Sequence, residues 1–399
     1  MSQIVRGAVR YATLALALSA VICLPVAAPR LSAGAQSSFI GFPCDSDAAL
    51  TCVMRHLDGV RGLAFGPDGA LYVAEAGSGG DGPCIRQSGV QVCYGPTGAI
   101  TRLFGEVSER ILRGLPSIAI NDPMLRRLTG QAANGPTDIA FRTAVDVDDD
   151  GTAEGDDSDV MYVTIGLRND PTLRSLLGDA GQGFGRLARV APNRKLRFIA
   201  DLGDYEIEAN PDGGVIDTNP FGVLAESGSR LVVDAGANAL LRVFANGHGP
   251  VSTVATFPSR AQGRATDAVP TSVAVGPDGA YYVSELTGIP FATWNAGIYR
   301  VVPGESPTVH ADGFRMIIDI AFDAEWNLYV LQYATVTGTL FGRSGVLTRL
   351  APDGTRATIL SGLRTPTSVA VGPDGYLYVS NVGNFPGIGE VVRVAPPSQ

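Results

Sequence analysis

The sequence predicts an all-β fold: a six-bladed β-propeller with four-stranded blades, closed by an N-terminal strand that completes the last blade. Three observations predict it. A hairpin signature recurs along the chain, a third β run marked by arginine follows each copy, and the last copy ends one strand short. The clearest hairpins are Leu63-Ala-Phe-Gly-Pro-Asp-Gly-Ala-Leu-Tyr-Val-Ala-Glu75, Val273-Ala-Val-Gly-Pro-Asp-Gly-Ala-Tyr-Tyr-Val-Ser-Glu285 and Val369-Ala-Val-Gly-Pro-Asp-Gly-Tyr-Leu-Tyr-Val-Ser-Asn381. Proline presets φ in the turn and glycine supplies a positive φ, so each reads as two strands around a tight turn.

Weaker copies begin at Ile139, Val223 and Ile320, giving six starts separated by 76, 84, 50, 47 and 49 residues. The arginines of the third runs are Arg102, Arg189, Arg242, Arg300, Arg349 and Arg393, and a fourth β-prone run follows the first five. Four-strand repeats of roughly 40–50 residues are the propeller period. After Arg393 the chain stops, and Cys52-Val-Met-Arg-His-Leu-Asp58 is the expected missing strand. Radial closure protects strand edges that an open array would leave exposed.

Residues 1–35 read as a secretory leader. Arg6 and Arg10 precede the apolar run Tyr11–Ala28, and Ala33-Gly34-Ala35 supplies small residues for cleavage. Pro25, Pro29 and Arg30 keep that run below the roughly 20 residues of a membrane span. Residues 36–399 are then expected to form one exported propeller domain, with no transmembrane anchor and as a monomer. Cys44, Cys52, Cys84 and Cys93 remain after cleavage, an even set in an oxidising compartment. The short separations favour Cys44–Cys52 and Cys84–Cys93, with no Cys-x-x-Cys spacing to suggest a metal site. Removal of the leader leaves 27 basic against 39 acidic residues, with Lys195 the only lysine. Such a surface excludes a nucleic-acid partner.

Second-to-third strand connections and between-blade insertions are long, whereas most hairpin turns on the opposite face are short. Function is therefore expected on the elaborated face, with a small molecule, glycan or protein as partner. Second strands end there with Glu75, Asp234, Glu285, Gln332 and Asn381, and first strands begin with Asp138 and Asp319. Glu75, Asp138, Asp234, Glu285, Asp319 and Asn381 are thus candidate ligand-binding residues at the channel mouth, where their oxygens could hold a cation or hydroxylated ligands. Separately, Asp146-Val-Asp-Asp-Asp-Gly-Thr-Ala-Glu154 places Asp146, Asp148, Asp150 and Glu154 at positions 1, 3, 5 and 9 around Gly151, as in a calcium loop. Calcium is the expected, structural, cofactor.

The G-P-D-G-x-L-Y-V hairpins, together with Ala-Asn-Pro-Asp-Gly-Gly214 and Thr-Asn-Pro-Phe-Gly222, resemble the ScyD/ScyE family, exported propeller proteins named after the scytonemin pigment cluster. The resemblance spans roughly Val53 to Pro396, and the chain is similar more broadly to NHL-repeat and strictosidine-synthase-like six-bladed propellers. It implies the ring and export, and it transfers no catalytic residue. No H-E-x-x-H, G-x-S-x-G or phosphate-cradling motif is present. The expectation is a non-catalytic extracellular binding module. The alternative is a metal-dependent hydrolase or lactonase using Glu75 or Glu285 as base.

Overall fold

Six antiparallel sheets arranged as a ring, with a small two-stranded hairpin of Arg260–Gln262 and Arg264–Thr266 beside them, make up the computed structural model, which describes Cys44 and residues 50–142, 160–244, 249–262, 264–289, 291, 296–335 and 344–395. The expected leader and the expected calcium ligands Asp146, Asp148, Asp150 and Glu154 lie outside the described residues. Blade one runs Val60–Phe65, Leu71–Glu75, Val90–Phe104, Val107–Ile120; blade two runs Pro136–Phe141, Met161–Ile165, Arg186–Val190, Leu196–Asp201. Blade three comprises Pro220–Glu226, Ser229–Asp234, Ala239–Phe244 and Ser252–Thr256; blade four comprises Pro270–Val275, Tyr281–Glu285, Ala296–Val301 and Thr308–Phe314. Blade five is Ile317–Phe322, Leu328–Gln332, Gly345–Leu350 and Arg356–Leu363, and blade six takes Ser368–Val371, Leu377–Asn381 and Gly389–Val394 from the C-terminal end.

Thr51–Leu57 supplies the fourth strand of blade six. It pairs antiparallel with Gly389–Val394, with Thr51 opposite Arg393, Cys52 opposite Val392, Met54 opposite Val391 and Leu57 opposite Gly389. The fold is a six-bladed β-propeller whose ring is latched by its N-terminal strand.

The core is divided among the six blade junctions. Strand side chains alternate between faces, and the inner strands of each blade are covered on both, whereas outermost strands such as Thr308–Phe314 are largely exposed. In the second strand of blade one, Leu71 and Val73 pack towards blade six with Met54 and Leu57. Ala74, joined by the half-buried Tyr72, packs towards blade two with Ile139 and Val163. The remaining junctions repeat the scheme, as with Tyr162 against Val232 and Leu241, or Tyr329 against Val369 and Leu377.

The repeated Asp, Tyr and Arg of the signature lock the hairpin turns. Asp68 accepts from the Ala70 amide (3.0 Å), the Tyr72 hydroxyl (3.0 Å) and the Arg102 guanidinium (2.6 Å). Asp278 takes the Ala280 amide and Arg300, and Asp374 takes the Tyr376 amide, the Tyr378 hydroxyl and Arg393. Burial pushes the Asp68 carboxyl up, but Arg102 and the amide and hydroxyl donors outweigh it and hold the group below the usual carboxylate range. The recurrence of aspartate, tyrosine and arginine in these repeats is thereby explained structurally. These half-exposed pairs each contribute modestly, at most about 1 kcal/mol.

Two features depart from the expected four-strand pattern. Blade one has a fifth strand, Cys84–Gln87, which pairs with an extended third strand and sets Cys84 opposite Cys93. Those two cysteines form one disulfide and Cys44–Cys52 the other. The between-strand and between-blade loops of the elaborated face also carry short helices, Pro171–Gly183 and Leu202–Ala209.

Candidate functional site at the channel mouth

Polar residues at the ends of the second strands anchor their own blades. Glu75 Oε2 accepts the Asp58 amide (2.7 Å), Asp234 Oδ1 the Asn219 amide (2.7 Å), Gln332 Oε1 the Arg315 amide (3.0 Å) and Asn381 Oδ1 the Arg364 amide (2.8 Å). In each case the amide belongs to the segment that leads into the first strand of the same blade. Glu75 is also bonded to the Thr101 hydroxyl and, through both oxygens, to Arg110 (2.9 and 2.5 Å). Asp234 takes the Thr218 hydroxyl and the Gly236 and Ala237 amides besides, while Asn381 donates to Glu390. Glu285 is fully buried at the corresponding end in blade four. The structure therefore does not gather Glu75, Asp234 and Asn381 into one ligand set; their oxygens are engaged within separate blades.

Asp138 and Asp319 do face the channel. They occupy one register of a ring formed by the first strands, Gly62, Asp138, Gly222, Ser272, Asp319 and Ser368. Side chains of this ring bond the next amide in an adjacent blade: Asp138 accepts from Val223 (2.8 Å), Asp319 from Val369 (2.8 Å) and Ser368 from Leu63 (3.1 Å). Asp319 also accepts the hydroxyls of Ser272 and Ser368, both at 2.6 Å. Glycine is required at position 62, because a Cβ there would lie 2.1 Å from Asp138 Oδ1. Burial and then the facing Asp319 charge push the Asp138 carboxyl well up, against the Val223 and Ile139 amides. Burial likewise raises Asp319, opposed by its hydroxyl and amide donors. The two carboxyls hold protons more tightly than free carboxylates do.

Above this girdle, loops from blades one, two, five and six converge on the axis. Arg61 donates to the carbonyls of Val60, Gly383 and Ala133 (3.1, 2.5 and 2.7 Å). Burial lowers its pKa to about 10, with Tyr333 opposing and Arg168 adding to the shift. The Tyr333 hydroxyl accepts from Asn384 Nδ2 (2.5 Å), and burial pushes its own ionisation up.

Arg168 is the distinctive member. Its backbone is held at φ 57°, the left-handed region that side chains rarely adopt, by an amide bond to the Thr218 carbonyl (2.9 Å) and by Gln87 Nε2 donating to its own carbonyl (2.9 Å). The side chain is exposed to solvent. Burial lowers its pKa, against the influence of Asp217 and Tyr333. Among the described residues its guanidinium makes no hydrogen bond. Arg61, Arg168 and Tyr333 are close enough to influence one another's ionisation, and Asp217 influences Arg168.

Sequence reasoning missed these mouth residues. Alignment of the six first strands carried a signal for Arg61, which stands where the other blades have Thr137, Phe221, Thr271, Ile318 and Thr367. Arg168 and Tyr333 had none, since they meet only where four loops converge. His56 and His310 lie on the outermost strands of blades six and four, away from the channel end of the second strands. Tyr299, in the third strand of blade four, is buried against Phe257.

Among solved structures, the soluble aldose sugar dehydrogenase from Escherichia coli in the apo-form is similar, with a TM-score of 0.50 and 12% identity over 87% of this chain and 99% of that one. A structural genomics protein of unknown function from Bacteroides thetaiotaomicron matches at 0.50 and 9%, over 86% and 72%. A catalytically inactive virginiamycin B lyase from Staphylococcus aureus with quinupristin matches at 0.43 and 12%, over 87% of both chains. The likeness is one of fold. No family model matches the chain, and no curated protein matches it.

Proposed function

We propose that this chain is an exported, non-catalytic binding propeller of the ScyD/ScyE kind, whose mouth takes a small ligand bearing a carboxylate. One observation carries the reading: Arg168, an exposed guanidinium on a backbone held by Thr218 and Gln87, has no hydrogen-bond partner among the described residues. Guanidinium donors match carboxylates in a bidentate fork, and the adjacent Tyr333 hydroxyl can add a donor. Asp138 and Asp319 remain the proposed polar floor beneath the ligand. Two disulfides suit an oxidising compartment, in keeping with the leader expected at residues 1–35.

The alternative, a metal-dependent hydrolase or lactonase, draws weak support from propeller neighbours that are enzymes. It is disfavoured because the internal bonds of Glu75, Asp234 and Asn381 leave them poorly placed to share a metal. Glucuronate titrated by calorimetry tests the binding reading. Wild type is expected to bind it, and Arg168→Ala to weaken binding at least about tenfold, the scale of a lost charged hydrogen bond, with an unchanged melting temperature. Equal affinity in the variant, or turnover of a lactone and ester panel by wild type, would overturn it.

Asp146, Asp148, Asp150 and Glu154 remain the proposed ligands of a structural calcium ion. A chelator is expected to lower the melting temperature of wild type by more than that of Asp148→Ala with Asp150→Ala; equal responses would remove the loop as a site.

A further inference from the structure

A second cation site, separate from that loop, is indicated where the chain passes from blade two to blade three. Three side-chain oxygens there are buried and accept no hydrogen bond among the described residues: Glu206 Oε2, Asn210 Oδ1 and Asp217 Oδ1. Glu206 is 1% exposed, so water does not reach it from the surface.

Local structure explains why these three sit together. Glu206 and Asn210 are four residues apart, on one face of the helix Leu202–Ala209. Asn210 caps that helix in a left-handed conformation (φ 38°, ψ 69°), its amide bonded to the Glu206 carbonyl (3.0 Å). The turn Asn210-Pro-Asp-Gly-Gly214 then folds back, with Asn210 Nδ2 donating to the Gly214 carbonyl (3.2 Å). This brings the Asp217 amide to 3.5 Å from Glu206 Oε1.

The surrounding charge is negative. Burial foremost, then Asp234, Asp212 and Asp217, raise the Glu206 carboxyl to about 7. Burial and Asp234 bring Asp217 to about 7 as well, with Arg168 opposing. Asp234 and Asp212 have donors of their own, four for Asp234 and the Gly214 amide and Asn238 Nδ2 for Asp212. The cluster therefore combines oxygen-only chemistry, acceptors lacking donors, and the carbonyl end of a helix, where positive charge is favoured.

We propose that Glu206, Asn210 and Asp217 bind a calcium ion, with backbone carbonyls and water completing its shell. Calcium accepts six to eight oxygens in irregular geometry, which suits a helix end and a loop better than the strict octahedron of magnesium. The ion would also fix the segment whose Thr218 carbonyl holds the Arg168 amide, so the site would set the posture of the mouth arginine.

The test uses the mature chain carrying Asp148→Ala and Asp150→Ala, which removes the loop site, stripped with a chelator and titrated with calcium alone. That protein is expected to bind one calcium ion by calorimetry and to melt several degrees higher when saturated. Glu206→Gln with Asp217→Asn added is expected to remove both the heat and the melting shift. No calcium response in the background protein, or an undiminished one in the added pair, would overturn the proposal. Should that variant fail to fold, Asn210→Gly decides. Glycine tolerates the left-handed cap but lacks the oxygen, so calcium affinity at least about tenfold weaker supports the site and unchanged affinity overturns it.

Discussion

Deleting residues 1–57 is expected to abolish cooperative folding. The truncated chain loses the Met54 and Leu57 side chains from the junction of blades six and one, both 3% exposed. It also loses Cys52 and the outer pairing of Gly389–Val394, leaving that strand, still paired with Leu377–Asn381 on its inner side, as a bare edge prone to intermolecular pairing. Milder variants grade the effect. Leu57→Ala should cost about 2–5 kcal/mol as a buried leucine truncation. Replacing Cys44 and Cys52 together by serine should cost about 2–3 kcal/mol, since their bridge closes a loop of only eight residues' separation. Urea denaturation checks each. A truncated protein that is soluble and melts like the full chain would show that the latch is dispensable.

Replacing Glu75 by alanine should be the most damaging single change on the elaborated face, by about 3–5 kcal/mol. The change strands a partly buried Arg110, whose guanidinium reaches both Glu75 oxygens and Asp58, and it leaves the Asp58 amide and the Thr101 hydroxyl without their acceptor. Glu75→Gln keeps the shape and the amide bond, so its cost should be smaller, about 1–3 kcal/mol. Affinity for glucuronate at the mouth should stay within about twofold for Glu75→Gln. A stable Glu75→Ala protein that has lost ligand binding would contradict the anchoring role and restore Glu75 to the site.

The ring was readable because each repeat states its own turn. Pro-Asp-Gly, the tyrosine of the second strand and the arginine of the third are close in sequence and in space, so a local pattern specifies a local structure. Closure was readable from a count of strands. The fifth strand of blade one was not, because Gly95-Pro96-Thr97-Gly98 reads as a break. The third strand absorbs it as a register shift between Gly95 and Gly98 and continues to pair on both sides of it.

The site was less legible for a related reason. Alternation along a strand says which residues share a face, and membership of blades two and five in a six-blade ring sets Asp138 and Asp319 across the channel from each other. It does not say whether an oxygen already has a donor. The partner of Glu75 that decides the matter, Arg110, arrives from the far edge of the blade, thirty-five residues on. The mouth depends on still longer separations, since Tyr333 meets Arg61, Arg168 and Asn384 only after the ring has closed.

By itself, the sequence determined the number of blades, the hairpins that build them and the strand that latches them, and it favoured a pairing of the cysteines that the structure shows. Those follow from backbone preferences and short-range contacts written into each repeat. Only the tertiary structure decided which polar groups are spent holding blades together and which are left for a ligand or an ion. Satisfaction of a buried charge is a property of every atom around it, and at the mouth the chain brings those atoms together from four different blades.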